Sequence, residues 1–397
     1  MSVKTRYNLL YFLYCVVGCC FGGFVAVFLQ YKNVSNTIIG LITGTGCVTS
    51  IFLAPYLSGL VMKIKSLTVK KITTIIYIGL NIAFLFLALM PLPSQVVVVL
   101  FTIFYAIYIS TGPFLQMLAS DYMQNGYEIH FGLARGLGST SWAISSLVFG
   151  FIIEKTSPAI LTVGALVFTV LMLGLLNSMP NVTEAENEED SNGNKGGSIF
   201  GIIKSYHIYF LLLVGFAMML SAATSIGTYL INIVASLGGN TSFYGVAVFI
   251  MALSEMPVMA LTPRLMKKYK STDLVLVGAI CYGIRNFTIC LSPNLVILCV
   301  GMVFQGLSFG LLTTVMTYYV IYNLKVEDQV MGQTMIAVMT TGFGSTLGNI
   351  LGGFLQDNFG LGSMYIYVYT LTILGIIMVF IANRLSKTKK HQNEIIR

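Results

Sequence analysis

Long apolar runs separated by short polar breaks dominate this chain. Twelve of them occur, at approximately 7–30, 37–62, 72–91, 95–117, 131–153, 158–179, 208–234, 243–266, 273–292, 295–323, 331–356 and 363–383. About 20 apolar residues in a helix cross roughly 30 Å of hydrocarbon, so each run predicts a membrane-spanning helix. Breaks such as Pro91-Leu-Pro-Ser-Gln95 and Ser292-Pro-Asn294 are too short to hold a domain. The pattern predicts an all-α integral membrane protein with 12 transmembrane helices.

Composition agrees with that pattern. Of 397 residues, 56% are apolar and 9% charged, and the mean hydropathy is +0.85. A soluble domain carries about 25% charged residues to solvate its surface. The chain therefore cannot be a soluble enzyme, a nucleic-acid binder or a disordered protein, whatever its net charge of +8 suggests. The seven cysteines all fall inside apolar runs, with no metal-ligand spacing around a polar turn. They read as packing residues, and neither a metal site nor a cofactor is expected. The first run follows Lys4 and Arg6, is too long for a cleaved signal peptide and lacks a small-residue cleavage site.

Lysine and arginine set the orientation, because cytoplasmic loops carry their excess. With the N-terminus inside, 18 of the 22 cations fall in the cytoplasm and only Lys32 and Lys155 outside. Both termini are therefore expected in the cytoplasm. The remaining two cations, Arg135 and Arg285, lie within spans 5 and 9. The longest break contains Glu184, Glu186, Glu188, Glu189 and Asp190 and then Asn-Gly-Asn-Lys-Gly-Gly. That composition predicts an acidic, flexible linker. The expected organisation is a six-helix bundle over 1–179, the linker over 180–207, a second six-helix bundle over 208–383 and a basic tail over 384–397.

The two halves echo each other. Met62-Lys-Ile-Lys-Ser66 recurs as Met266-Lys-Lys-Tyr-Lys-Ser271, Gly138-Ser-Thr140 as Gly344-Ser-Thr346, and Gly150-Phe-Ile-Ile-Glu154 as Gly353-Phe-Leu-Gln-Asp357. Three echoes in register indicate a duplicated six-helix unit. A duplicated 6+6 bundle with cytoplasmic termini and a long central loop resembles the major facilitator superfamily of secondary transporters. That resemblance implies two parallel repeats with a substrate site between them near mid-bilayer. Gly348-x-x-x-Gly352 on span 11 suits close helix contact.

Of the 14 acidic residues, 13 are read as loop, tail or span-end positions, which leaves Glu255 deep in span 8. An unpaired charge there costs at least about 2.5–3.5 kcal/mol. Glu255 lies 12 residues from Lys267, and Arg285 12 residues from Asp273. At 1.5 Å per residue both are roughly 18 Å deep, so neighbouring antiparallel helices are expected to pair them. Pro257 leaves the Leu253 carbonyl without its helical partner and adds a polar group beside the acid.

Arg135, Ser139 and Trp142 occur at i, i+4 and i+7 and share one face of span 5. Two readings of Arg135 stand: it lines a cavity, or it snorkels to the interface from about one turn inside the span. Trp142, the single tryptophan, falls near mid-span, where it either stacks on a ring-shaped solute or packs in the core.

Arg135-Gly-Leu-Gly-Ser-Thr-Ser-Trp142 is similar to the span-5 segment of lactose permease, where the arginine binds sugar and the tryptophan stacks on it. Proton-nucleoside symporters have a similar arginine, hydroxyl and aromatic series. Ser254-Glu255 and Arg285 match both groups, and Gln305-Gly-Leu-Ser-Phe-Gly310 looks like a segment of the lactose-permease-like and phenylpropionate-permease-like branch. The chain also departs from them. The span-4 acid of lactose permease corresponds to Gln116 or Met117, and its span-10 histidine and glutamate fall among Thr317 to Asn323, which contain neither. Polar positions of the nucleoside carriers align near Leu220, Ala223 and Ala252. The superfamily's loop signature would place an aspartate near Lys63 and a glycine near Ser66.

The expected function is proton-coupled uptake of a small polar solute, a sugar, oligosaccharide or nucleoside, by a monomeric multi-pass protein of the plasma membrane, a bacterial inner membrane in view of the short loops. Glu255 and Arg285 would couple protons, the proton gradient being the energy source. Arg135, Ser139 and Trp142 would bind the solute, with Gln116, Gln305 and Asn349 as further lining candidates or helix-to-helix hydrogen bonds. Two arginines against one glutamate motivate an alternative, an anionic aromatic carboxylate. A proton-drug antiporter would have a Gly-Pro element that spans 5 and 11 lack. A membrane-embedded enzyme would need a polar cluster that His130, His207 and His391 do not supply.

Overall fold

A computed structural model describes residues 2–64, 67–182 and 199–395. The acidic run of the expected linker, with Lys65 and Ser66 of the first loop echo, lies outside the described residues. The described residues are helical with no strand, as hydrocarbon requires of a chain that must satisfy its backbone internally. Contacts divide the chain into two units, Met1–Glu188 with Gly238–Phe249, and Glu189–Leu237 with Ile250–Arg397.

The first unit contains six helices. Helix α1 begins at Val3 with Ser2 as its cap, passes through a π-helical turn at Cys19–Gly23, and bends by 45° into Val25–Tyr31. The adjacent Gly22 and Gly23 account for the bend. It is followed by α2 (Asn36–Lys63), α3 (Val69–Leu89), α4 (Ser94–Gln124), α5 (Phe131–Lys155) and α6 (Ile160–Ser178). At Gly112-Pro113 the α4 helix is interrupted and resumes as Phe114–Gln124. Phe21 joins α1 to α3 and α4 through ring contacts with Phe84 at 5.4 Å and Phe104 at 5.0 Å. At the lower end of α6, the Ser178 carbonyl accepts from Arg6, and the Pro180 carbonyl from Lys70 at 2.9 Å and Tyr122 at 2.8 Å. These groups supply partners that the last turn of a helix lacks.

The second unit opens with a short helix, Ile199–Ser205, inside the range expected to be linker. Then come α7 (His207–Thr228, extended by Leu230–Ser236), α8 (Thr241–Lys268), α9 (Ser271–Cys290), α10 (Leu295–Asn323), α11 (326–359) and α12 (Leu361–Ile395). The expected tail from 384 continues α12 as helix through Ile395. Its core joins Leu212 and Phe216 of α7 to Val275 and Ala279 of α9, Val315 and Met316 of α10, and Val379 of α12.

Helix α8 starts among contacts of the first unit. Glu154 at the end of α5 accepts from the Thr241 backbone N–H and hydroxyl, both at 3.0 Å. A Cβ on Gly150 would come within 2.9 Å of Gly245 Cα. Glycine at both positions lets the backbones meet, which is why Gly238–Phe249 groups with the first unit although chain order assigns it to the second bundle.

Ten helices are long and apolar enough to cross a membrane, or eleven when the bent α1 is counted as one span. The predicted span 11 is not among them. Helix α11 is continuous, but its middle is Thr340-Thr341-Gly342 and Gly344-Ser345-Thr346, and Glu327, Asp328 and Asp357 sit near its ends. Small and polar residues lower its hydropathy while suiting it to close packing. A Cβ on Gly348 would collide with the Ser221 carbonyl of α7, and one on Gly352 would lie 3.0 Å from Ser225.

The duplication extends further than the sequence echoes. Asn81 on α3 donates to Thr169 on α6 at 2.8 Å, and Asn286 on α9 donates to Thr372 on α12 at 2.8 Å. Each asparagine follows a buried tyrosine by four residues, Tyr77 in one unit and Tyr282 in the other. The same hydrogen-bonded clip therefore closes each unit.

Replacing Gly348 by Val is expected to lower stability by about 1–3 kcal/mol, the usual cost of overpacking. Gly174→Val, at a position with nothing within 4 Å, is expected to change it little. Thermal unfolding of the detergent-solubilised protein checks both, and equal midpoints would contradict the close α7–α11 contact.

Candidate functional site

Within the second unit, the polar residues of α8, α9 and α10 converge on Glu255. Helix α10 loosens into a π-helical turn at Gly306–Gly310, a distortion often found at functional positions. This turn lies directly against α8. The Gly306 N–H donates to Ser254 Oγ at 3.0 Å, and a Cβ on Gly306 would collide with the Ser254 carbonyl. Only glycine permits that approach. Gly310 is close as well, its Cβ position being 3.6 Å from Glu255 Cα. The approach brings Gln305 Nε2 to 2.9 Å from Glu255 Oε1, to which it donates. The segments Ser254-Glu255 and Gln305-Gly-Leu-Ser-Phe-Gly310, 50 residues apart in sequence, thus form one contact.

Arg285 is buried, at 1% exposure. Its guanidinium donates to Asn286 Oδ1 at 2.9 Å and approaches Met251 Sδ at 4.0 Å. The expected direct ion pair with Glu255 is not made. Met251 and Glu255 are one turn apart on the same face of α8, so the guanidinium contacts α8 about 6 Å along the axis from the carboxylate. Counting residues from helix ends gave equal depth but ignored the register in which the two helices pack. Gln305 occupies the carboxylate instead.

The predicted solute-binding residues of the first unit have a different setting. Arg135 is exposed and lies within electrostatic reach of Tyr11 and Cys15 on α1. The two helices are drawn together just above it, where a Cβ on Gly138 would fall 2.7 Å from the Tyr11 ring and 2.8 Å from Cys15 Sγ. Ser139 is half-buried beside that contact. Trp142, also half-buried, packs its six-membered ring on the glycines that bound the α1 π turn, with Cβ positions of Gly18 and Gly23 at 3.3 and 3.2 Å. Its mid-span depth therefore has a packing cause, and part of the indole stays accessible. Gln116 is exposed, just after the α4 break.

Of the two roles expected for Asn349, the structure shows the helix-to-helix hydrogen bond. Asn349 is 3% exposed, its Oδ1 accepts from Thr228 at 2.7 Å, and its carbonyl accepts from Tyr229 at 2.8 Å. Gln305 likewise makes a helix-to-helix hydrogen bond, to the Glu255 carboxylate.

Two residues escaped the sequence reading. Asp121 lies beyond the expected span end at 117, but α4 resumes after Pro113 and carries it, buried, in the last turn of the Ser94–Gln124 helix. Asp121 and Lys70 line one small cavity near the end of α6, well apart in sequence from the residues of the α5 face. Tyr282, fully buried on α9, is within electrostatic reach of both Arg285 and Glu255. The signal available for it was the Tyr-x-x-x-Asn spacing shared by Tyr77 to Asn81 and Tyr282 to Asn286.

Arg285→Met keeps the volume of a buried side chain while removing a charge that lacks a direct counter-ion. Exchanging buried charge for packed apolar groups is often neutral or stabilising by about 1–4 kcal/mol. The variant is expected to unfold at or above the wild-type temperature while losing function. A markedly lower unfolding temperature would mean that the arginine is a structural keystone.

Comparison with known proteins shows what the chain is similar to. The MFS_1 like family model matches residues 4–367. A maltose permease of Geobacillus stearothermophilus is 23% identical over 263 residues, which is 65% of this chain and 64% of that relative's length. The chain thus spans somewhat less than two thirds of the curated relative it matches. A mutant form of the nucleoside transporter NupG superposes with a TM-score of 0.80 at 17% identity, covering 96% of this chain and 99% of that one. A bacterial homolog of the human lysosomal transporter Spinster, inward-facing and unoccupied, gives 0.70 at 13% identity, covering 96% of each chain.

Proposed function

The chain belongs to the MFS_1-like family and is a multi-pass membrane transporter of the major facilitator superfamily, and from that premise we propose proton-coupled uptake of a neutral polar solute, a sugar, oligosaccharide or nucleoside, by alternating access. The observation that carries the coupling is a carboxyl group in the middle of α8, held by Gln305 and one helical turn from a buried Arg285. Such a group changes protonation when its surroundings change, because a nearby cation favours the charged form and loss of water the neutral one. The offset between carboxylate and guanidinium suits this role, since a closed ion pair would hold the charged form throughout the cycle.

Arg135 supplies hydrogen-bond donors to the solute, with Ser139 beside it and the accessible part of Trp142 as a stacking surface. The named substrates of the similar proteins, maltose and nucleosides, support a hydroxyl-rich solute with a ring. The reading includes twelve helices in two six-helix repeats with both termini in the cytoplasm, the plasma membrane as location, a monomer as the working unit, and the proton gradient as energy source without a cofactor. One observation favours a second substrate class. Arg285 has no ion pair within hydrogen-bonding range and Arg135 is exposed, so an anionic aromatic carboxylate would neutralise the cation in excess.

Uptake by proteoliposomes separates these readings. Under an imposed inward proton gradient, maltose, uridine and phenylpropionate are supplied in turn. The wild type is expected to accumulate one of the first two, and Glu255→Gln to lose gradient-driven accumulation by tenfold or more while retaining exchange across the membrane. Accumulation by Glu255→Gln equal to wild type would remove Glu255 from coupling. Arg135→Ala is expected to weaken solute binding at least tenfold in equilibrium titration, and unchanged binding would return Arg135 to the interface.

A further inference from the structure

Among the described residues, four buried side-chain polar atoms have no hydrogen-bond partner, and three of them surround the carboxyl group of α8: Tyr282 Oη, Arg285 Nε and Gln305 Oε1. Buried polar groups in folded proteins are almost always paired, so three exceptions on two helices facing one acid call for a physical cause. The first unit provides an internal comparison. There the equivalent tyrosine, Tyr77, has its hydroxyl 3.2 Å from Thr111 Oγ1, and the position equivalent to Arg285 is Leu80. The duplicated clip is thus saturated in one unit, while in the other it carries an added cation and an unpaired phenol. A ring needed only for packing would be served by phenylalanine.

We propose that Tyr282 is a positioning residue for the proton step, its hydroxyl bridging Glu255 and Arg285 in another state of the transport cycle. This rests on the reading of Glu255 as the coupling acid. A phenol both donates and accepts. Facing an ionised carboxylate, the hydroxyl donates to it and accepts from the Arg285 Nε–H. Once Glu255 holds a proton, the hydroxyl accepts that proton's hydrogen bond, and its own hydrogen turns away. The position of Tyr282, three residues before Arg285 on α9, puts both on one side of that helix. On the antiparallel α8, Glu255 lies beyond Met251 in the matching direction. The bridge therefore spans the turn that separates the two charges. The other titratable group facing Arg285 is Cys290 on α9, which in turn faces Tyr365 and Tyr369 of α12.

The test is an infrared pH titration of the full-length protein in lipid nanodiscs, with the Glu255 carboxyl band assigned by its loss in Glu255→Gln. In Tyr282→Phe the titration midpoint is expected to move by about one pH unit or more, a tenfold change in proton affinity. In Tyr77→Phe, which removes the equivalent hydroxyl of the first unit, it is expected to stay at the wild-type value. As a measurement independent of folding of the Tyr282 variant, ring-labelled tyrosine in the otherwise unaltered protein should show a phenol band that changes with Glu255 titration and is silent in Glu255→Gln. An unchanged midpoint in Tyr282→Phe, or a phenol band indifferent to Glu255, overturns the bridge while leaving Glu255 as the coupling acid. Absence of any titrating band that Glu255→Gln removes would instead overturn the coupling reading, and the bridge with it.

Discussion

Inside hydrocarbon there is no water to satisfy a polar side chain, so each one must find its partner within the protein, on its own helix or on a neighbouring one. That constraint organises both units. The Asn–Thr clips between α3 and α6 and between α9 and α12 answer it with a donor and an acceptor from facing helices. The Thr228–Asn349 bond between α7 and α11 does the same. Such bonds contribute about 0.6 kcal/mol on average in a membrane, so their value lies as much in fixing register as in stability. Glycines complete the arrangement, because a side-chain hydroxyl or amide spans two helices only where their backbones come close.

Against that background the surroundings of Glu255 are exceptional. The α10 π turn presses its glycines onto Ser254 and Glu255 and delivers a single amide to the carboxylate. The nearest cation is turned aside toward Asn286, the same asparagine that holds the α9–α12 clip. A group that elsewhere has a purely structural duty thus also restrains the arginine. The result is a carboxyl group beside three buried polar atoms, Tyr282 Oη, Arg285 Nε and Gln305 Oε1, that have no hydrogen-bond partner.

Much of this was legible in the chain itself. Apolar run length identified the helices, and the residue types at Glu255, Arg285 and the Gln305–Gly310 segment marked where polar contacts gather in the second unit. The repeat was visible in three short echoes, although the Tyr-x-x-x-Asn element that best expresses it passed unnoticed because tyrosine and asparagine in an apolar run attract little weight individually. Asp121 was passed over because the apolar run ends near 117, whereas the helix runs on to Gln124 and buries the acid in its last turn. Span 11 was counted as an apolar run, yet its glycines and threonines, which serve packing, lower its hydropathy and leave it out of the helices apolar enough to cross.

The sequence by itself determined that this is a bundle of membrane helices, that Glu255 and Arg285 lie deep within it and that its two halves carry the same short motifs, because all three depend on residue type and order along one dimension. Only the tertiary structure decided who meets whom. Glu255 is held by Gln305 instead of Arg285, Asn349 is committed to a neighbouring helix, and Trp142 rests on the glycines of α1. The physical reason is register. Depth along each helix follows from counting residues, but rotation about its axis and the distance to its neighbour are set by which side chains are small enough to let backbones touch.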